Sequence, residues 1–503
     1  MESFDALIEV LPTFFSLHAI SLMLLGGIVA LVLGLLPGLS GTEAMLILLP
    51  FTYRMGLADT MYVMMSAYAA AFVGGAVAGI FWGVPGSSTN ITTTFDGHPM
   101  ARQGRAFEAL GAASMASAVG GIVSIVFIVI LMPMMVPFSL LFGPPEWFTF
   151  VLFGLVVLAM TGEGSFLRAL LSGALGLLLS CVGLSTVTGD IRFAFGSTYL
   201  WGGLTVIPAF IGLYPLAEAI DITFMNRGFA SAPRHATVSQ EHPARQLLRG
   251  SIKAITHVRA WLLSTIVGWF IGVIPGVGGT LANMMGYVLV KETSKDPESF
   301  GKGNIEGIIG SECANNASTG GALVPTLALG IPGSLNAVIL LGIFLLNGIQ
   351  PGENFFEKHL DITWIIILSA AAGTILGSAV VTAGGWKLAS TLQRIDMRMI
   401  VPIIVFFGTI AAYLTRNNIM DVVTAYILAI VGYGMKKLEF SRLAFIVALM
   451  LGALLEKSYF QAITIGRGSH LIFIKSPTSI ILWALVALAT ATFIWRAVQH
   501  ARK

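Results

Sequence analysis

Apolar runs of about 20 residues, the length of helix that crosses a bilayer, recur from one end of this chain to the other. They occupy 17–36, 60–82, 362–383 and 478–495, among others. In hydrocarbon every backbone N–H and C=O must find a partner within the protein, which leaves helices or a closed barrel. A barrel would alternate apolar and polar residues in segments of about ten, whereas these runs are continuous. The expectation is therefore an all-α polytopic membrane protein. Composition agrees: 11% of the 503 residues are charged, against about 25% in a soluble domain.

The same composition excludes several classes. The net charge of +3 is small and the basic residues sit in loops, so no nucleic-acid partner is expected. Cys181 and Cys313 lie in apolar surroundings, which implies neither a disulfide framework nor a thiolate metal site. No Lys or Arg precedes the first apolar run, so no cleaved secretory leader is expected. The histidines form no zinc-spaced pair. There is no HExxH, no GxSxG elbow and no phosphate loop, so the chain does not read as an enzyme.

Two signatures occur twice in the same order, which marks an internal repeat. GLLPGLSGT at 34–42 returns as GVIPGVGGT at 272–280, and GVPGS at 83–87 returns as GIPGS at 330–334. The reading is a first transmembrane repeat over 1–225, a basic cytoplasmic linker over 226–257 and a second repeat over 258–503. Lys and Arg mark cytoplasmic loops. The linker region carries Arg227, Arg234, Arg245, Arg249, Lys253 and Arg259. The loop after GVPGS carries Arg102 and Arg105, whereas the loop after GIPGS has Lys358 against Glu353 and Glu357. Equivalent loops thus fall on opposite sides, and the two repeats are expected to be inverted. The N-terminus then lies outside and the C-terminus inside.

Pro and Gly inside a spanning helix free backbone groups, at several kcal/mol for each left unpaired in hydrocarbon. Such breaks survive where they line a protein-enclosed or watery cavity. Four occur here at repeat-related positions, the pattern that points to a transporter binding site among about 10–14 membrane segments, some re-entrant. Half-helix N-termini suit a carboxylate. Unwound carbonyls and hydroxyls suit a small hard cation. The candidate substrate-binding residues are Gly38, Pro85, Gly86, Ser87, Ser88, Thr89, Asn90, Asn315, Asn316, Pro332, Gly333 and Ser334. The candidate ion-binding residues are Ser40, Gly41, Thr42, Gly278, Gly279, Thr280, Ser318 and Thr319. The run 310–334, with its Asn pair and Gly320–Gly321, reads as one of the broken helices.

Plainer readings stand beside these. Small and hydroxylated residues also let transmembrane helices pack closely. Glu312 reads either as an intramembrane proton or ion carrier or as a residue near the cytoplasmic end of its segment, and Glu43 invites the same pair of readings. Arg54 reads as a snorkelling helix-end residue and His18 as a packed or interfacial one. A passive carboxylate channel or facilitator also uses interrupted helices, although two inverted halves fit alternating access better.

The strings GLLPGLSGT, GVPGSSTNITTTFDGHPMARQGRA, GVIPGVGGT and EGIIGSECANNASTGGALVPTLALGIPGS, followed by NGIQPG, resemble the large membrane subunit of the tripartite tricarboxylate transporters, the TctA family. The similarity spans about 17–480. It implies a bacterial inner-membrane secondary transporter without a cofactor, coupled to Na⁺ or H⁺. It also implies a periplasmic solute-binding protein and a small four-span membrane subunit as partners, and organic di- or tricarboxylates such as citrate as substrates. By matching position the resemblance carries over Gly38 to Thr42, Pro85 to Asn90, Gly276 to Thr280, Asn315, Asn316 and Pro332 to Ser334 as site elements. Two stretches depart from the family's usual pattern: SECANNA at 311–317, where PEAANNA is usual, and AAAFVGGAVAG at 69–79, where a Tyr-Gly-Gly-Ser-like stretch is usual.

Overall fold

The computed structural model describes residues 2–35, 40–161, 166–185, 187–224, 241–276, 278–349, 351–352, 355–385, 387 and 399–501. Gly38, Glu353, most of the linker over 226–240 and the basic residues within 388–398 lie outside the described residues.

The chain is helical, as expected. In order come α1 (Glu2–Phe14), α2 (Leu17–Gly34), α3 (Gly41–Thr52), α4 (Leu57–Trp82), α5 (Thr93–Arg102), α6 (Ala106–Leu140), α7 (Pro144–Thr161) and α8 (Phe166–Ser180). A two-residue antiparallel ladder pairs Gly183 with Arg192 and Leu184 with Ile191. There follow α9 (Val206–Ile211), α10 (Ala217–Phe224), α11 (Pro243–Thr256), α12 (Val258–Val273), α13 (Gly278–Thr293), α14 (Ile305–Leu329) and α15 (Leu335–Leu346). Among the described residues seven helices are long and apolar enough to cross a membrane, with one further pair, α11 and α12, bent by 70°. Helices α3 and α15 have 12 residues each. At 1.5 Å per residue they reach about 18 Å, short of the roughly 30 Å hydrocarbon core, so each is a half-span.

The fold divides into two compact units, one of Met1–Pro133 with Ile222–Ala411, the other of Met134–Asp221 with Ala412–Lys503. All four repeated signatures fall in the first. The second holds α7, α8 and the helices Ile419–Lys437, Arg442–Ile465 and Pro477–Ala501. Two of its buried carboxylates are paired with cations: Asp421 takes the Arg416 guanidinium and the Tyr199 hydroxyl, and Asp221 takes Lys436 and Lys437. Pairing of this kind offsets the cost of removing charge from water.

Within the first unit the duplicated signatures make matched contacts. α2 packs on α4 through Gly34, where a Cβ would lie 2.8 Å from the Ala71 carbonyl oxygen. α12 packs on α14 through Gly272 in the same way, against the Ser318 carbonyl. α4 ends on Gly83 at φ 67° and α14 on Gly330 at φ 63°. This left-handed stop costs a glycine little, since it has no Cβ. After each stop the chain folds back into the unit. Gly86 sits with its Cβ direction 2.6 Å from the Gly75 Cα, and Gly333 with its own 2.6 Å from the Ala322 Cα. Extended Ser87 (φ −145°, ψ 169°) and Ser334 (φ −153°, ψ 170°) then begin new helical turns.

Helices α4 and α14 run in opposite directions. α5 follows the line of α4: Gly75 meets Asn90, Gly79 meets Thr94 and Ile80 meets Gly97. α14 runs against α5, with Gly307 beside Asp96 and Glu312 beside Asn90. One side chain fixes that arrangement. Asp96, fully buried, accepts backbone N–H bonds from Gly301, Gly303 and Asn304 at 2.9, 2.8 and 2.7 Å and the Tyr287 hydroxyl at 2.9 Å.

The polar run 310–334 corrects one expectation. Helix α14 passes unbroken through Asn315, Asn316 and Gly320–Gly321 and stops only at Gly330. Its polar side chains bond back to their own helix: the Ser311 hydroxyl to the Gly307 carbonyl, Asn316 to that of Glu312, Ser318 to that of Asn315. The glycine pair seats neighbours instead of breaking the helix. Gly320 faces Ser124 of α6, and Gly321 faces Trp269 and Gly272 of α12.

Candidate substrate and ion site

Each fold-back tip rests on the helix start of the other half. Gly41 opens α3; a Cβ there would lie 2.7 Å from Ala71 Cβ and 3.1 Å from Asn336 Nδ2. Gly279 opens α13; a Cβ there would lie 2.7 Å from Asn315 Oδ1, 3.1 Å from Thr89 Cγ2 and 3.3 Å from Ser318 Oγ. The hydroxyls repeat the exchange. Thr42 Oγ1 donates to Asn336 Oδ1 at 2.7 Å, and Thr280 Oγ1 donates to Ser88 Oγ at 3.1 Å. The candidate residues therefore fall into two clusters. Ser40, Gly41 and Thr42 lie with Pro332, Gly333 and Ser334. Gly279 and Thr280, with Gly278 before them, lie against Ser88 and Thr89 of the tip over Pro85 to Asn90 and against Asn315 and Ser318, with Thr319 one turn beyond Asn315 on α14.

The first cluster is closed. Glu43 Oε2 accepts both the backbone N–H and the hydroxyl of Ser40 at 2.6 Å, while Ser40 Oγ accepts from Thr42 N–H at 3.2 Å. This capping box spends the positive end of α3 on its own carboxylate. An anionic ligand there would meet Glu43 before it met the helix dipole. Tyr68 fills the adjoining space, its hydroxyl 3.3 Å from Ser334 Oγ and 3.4 Å from the Thr319 carbonyl.

The second cluster is unsatisfied. Asn315 is 0% exposed, yet neither its Nδ2 nor its Oδ1 has a partner, and the buried Thr319 hydroxyl has none either. These two residues are one turn apart on α14 and share a face. An unpaired buried amide costs about 1–3 kcal/mol for each group, so the arrangement makes sense where a ligand completes it. Aligned on Gly83 and Gly330, the matching positions of α4 are Tyr68 and Phe72, whose rings stand 6.0 Å apart. Where one repeat has aromatic filler, the other has lone polar groups.

Below this cluster lies a carboxylate. Glu312, 0% exposed, accepts from Asn90 Nδ2 (3.1 Å) and Thr93 Oγ1 (2.5 Å) on Oε1 and from Ser117 Oγ (3.0 Å) on Oε2. The tip side chains are tied into the same network, since Ser87 Oγ donates to Asn90 Oδ1 at 2.9 Å and lies 2.8 Å from Thr89 Oγ1. Asn283 of α13 fastens the start of α5, accepting from Thr92 and donating to the Ser311 carbonyl at 3.1 Å.

Ser117, Asn283 and Asp96 escaped the sequence reading. Each is a lone polar residue in a helix, with no motif around it that names its partner. His18 lies 3.1 Å from Asp59 at an exposed position, an ion-pair contact and not a ligand set. Among the described residues no three His, Cys, Asp or Glu side chains converge.

Residues 20–447 match the family model described as Tripartite tricarboxylate transporter TctA family. An uncharacterized 52.8 kDa protein in the TAR-I ttuC' 3'region of Agrobacterium vitis is 32% identical over 460 residues, covering 92% of this chain and 90% of that one. An uncharacterized protein in the TAR-II ttuC' 3'region of the same organism is 34% identical over 218 residues, 43% of this chain and 90% of its own length. No solved structure matches.

Proposed function

The chain belongs to the tripartite tricarboxylate transporter TctA family, and on that premise we propose that it carries organic di- or tricarboxylates, citrate among them, inward against their gradient, coupled to Na⁺ or H⁺. It is a multi-pass membrane protein of a transporter family, the large subunit of a tripartite system. We assign it to the bacterial inner membrane with its N-terminus periplasmic and its C-terminus cytoplasmic. Its partners in this reading are a small four-span subunit and a periplasmic binding protein that delivers the substrate.

The observation that carries the reading is the pair of buried, unpartnered side chains Asn315, whose Oδ1 faces Gly279 at the start of α13, and Thr319, one turn further along α14. A carboxylate there meets the Asn315 amide N–H and the Thr319 hydroxyl as donors and the positive end of α13. Thr89 and Ser88 of the opposite tip close the other side. The coupling ion is assigned to the hydroxyl and carbonyl oxygens around Gly278–Thr280 and Ser318. We read the two halves as inverted-topology repeats. Their matched contacts and opposite directions support that, and alternating access follows from rocking one repeat-derived bundle about the site.

The test is uptake of radiolabelled citrate and a dicarboxylate panel into liposomes that contain this chain and its small partner, with and without the binding protein. Accumulation that needs an imposed ion gradient and the binding protein is the expected result. Downhill flux indifferent to the gradient would replace the transporter with a carboxylate channel.

A further inference from the structure

We propose that Glu312 is the proton-carrying group of this transporter, binding and releasing one proton on a carboxyl oxygen in each transport cycle. The inference rests on the uptake reading above and names the coupling ion that reading leaves open.

The geometry around the carboxyl favours a proton over a metal cation. Its two oxygens are met by an amide N–H and two hydroxyls, from Asn90, Thr93 and Ser117. Asn90 turns its N–H₂ to Glu312 because its carbonyl already accepts from Ser87 at 2.9 Å. A hard cation needs several oxygen lone pairs, and this shell presents hydrogens. Hydroxyls rotate, so Thr93 and Ser117 donate to the ionised form and accept from the protonated one. The shell thereby offers hydrogen bonds to both states.

Among the described residues no cation pairs with the ionised form. None of the ion pairs among the described residues includes Glu312. The titratable groups on the surrounding elements are engaged elsewhere or distant. On α4, Tyr68 bonds toward Ser334. On α5, Asp96 is held by backbone N–H groups and by Tyr287 of α13, whose Lys291 lies near the other end of that helix. On α6, Glu108 pairs with Arg105 and with Lys253 of α11. On α12, Arg259 pairs with Glu306 of α14. Cys313 donates to the Ala116 carbonyl. Lys358, on the short helix Phe355–Lys358, adjoins the far end of α14. An uncompensated carboxylate inside a membrane protein is costly, and a proton removes that cost.

The carboxyl is also placed to report on the substrate site. Glu312 lies on α14 one turn before Asn315. Its partner Asn90 belongs to the tip whose Thr89 faces Gly279 and whose Ser88 is exposed. Gaining or losing the proton changes the bonds that hold this tip, and so changes one wall of the site.

The experiment compares wild type with Glu312→Gln in liposomes that also contain the small partner subunit, with the periplasmic binding protein supplied outside, using radiolabelled citrate and a dicarboxylate panel. The expected result is accumulation by wild type under an inward proton gradient. The variant should lose accumulation but retain exchange of internal unlabelled for external labelled substrate. Accumulation by Glu312→Gln equal to wild type would overturn the proposal, as would wild-type accumulation under a Na⁺ gradient with no accompanying proton. If wild type neither accumulates nor exchanges any carboxylate, the uptake reading fails. The proton site is then judged by infrared spectroscopy: a pH-dependent carboxyl C=O band that vanishes in Glu312→Gln sustains it, and no such band overturns it. Should Glu312→Gln fail to fold, Ser117→Ala keeps the carboxyl and removes one donor to its ionised form. The pH midpoint of uptake, or of the band, should then move upward, and an unmoved midpoint overturns the assignment.

Discussion

Asn90 donates its side-chain amide to Glu312 Oε1 at 3.1 Å, and with that one bond the segment between α4 and α5 is tied to the N-terminal half of α14. Both residues are fully buried. The bond therefore bears on stability as well as on function, and the two contributions separate by mutation.

Replacing Asn90 with Ala leaves one Glu312 oxygen short of a donor in a buried site, at a cost of about 1–3 kcal/mol. Asn90→Asp should be worse, since it sets a second carboxylate against the first. Thermal unfolding of the purified protein in detergent should rank the stabilities wild type, Asn90→Ala, Asn90→Asp, in descending order. An Asn90→Asp protein as stable as wild type would contradict the network described here.

Asn315 shows the reverse behaviour. Its amide makes no bond to lose, so Asn315→Ala should unfold within about 1 kcal/mol of wild type. Carboxylate uptake should nonetheless be lost. Thr319→Val, which keeps shape and removes the hydroxyl, should act in the same direction. Normal uptake by both variants would remove this face of α14 from the substrate path.

Gly279→Ala adds a Cβ 2.7 Å from Asn315 Oδ1 and 3.1 Å from Thr89. The methyl group would crowd Asn315 and Thr89 at the proposed substrate contact. Uptake should fall strongly while expression and membrane insertion persist, as measured by transport normalised to protein in the membrane fraction.

Asp96→Ala strands three backbone N–H groups of the segment before α14, together with the Tyr287 hydroxyl. A loss on the order of 3 kcal/mol is expected, because several donors lose one charged acceptor. Trypsin should then cut at Lys295 or Lys302 faster than in wild type. Equal cleavage rates would show that Asp96 does not hold this segment.

The orientation has a separate test. A cysteine placed at Glu353 should react with a membrane-impermeant reagent from outside, and one at Arg245 should not. The opposite pattern would invert the assigned topology.

Apolar run length and two duplicated signatures were enough to read an all-helical membrane protein and to place its breaks, because bilayer thickness and backbone satisfaction act on local sequence. The polar run of α14 misled for a local reason as well. Ser, Asn and Gly are weak helix formers in isolation, but here the hydroxyls and amides bond back along the helix and the glycines are sites of close approach. Long-range partnership stayed hidden. Nothing near Glu312 in the sequence announces Ser117, 195 residues away, or Asn90, 222 away. Nor does the sequence distinguish Asn315 from Asn316, although Asn316 donates to its own helix and only Asn315 is left without a partner.

Counted back from Gly83 and Gly330, Tyr68 and Phe72 stand on α4 where Asn315 and Thr319 stand on α14. If Asn315 and Thr319 hold substrate as proposed, the rings on α4 leave that station without a twin. Titration of a purified chain with its substrate should accordingly saturate at a single equivalent.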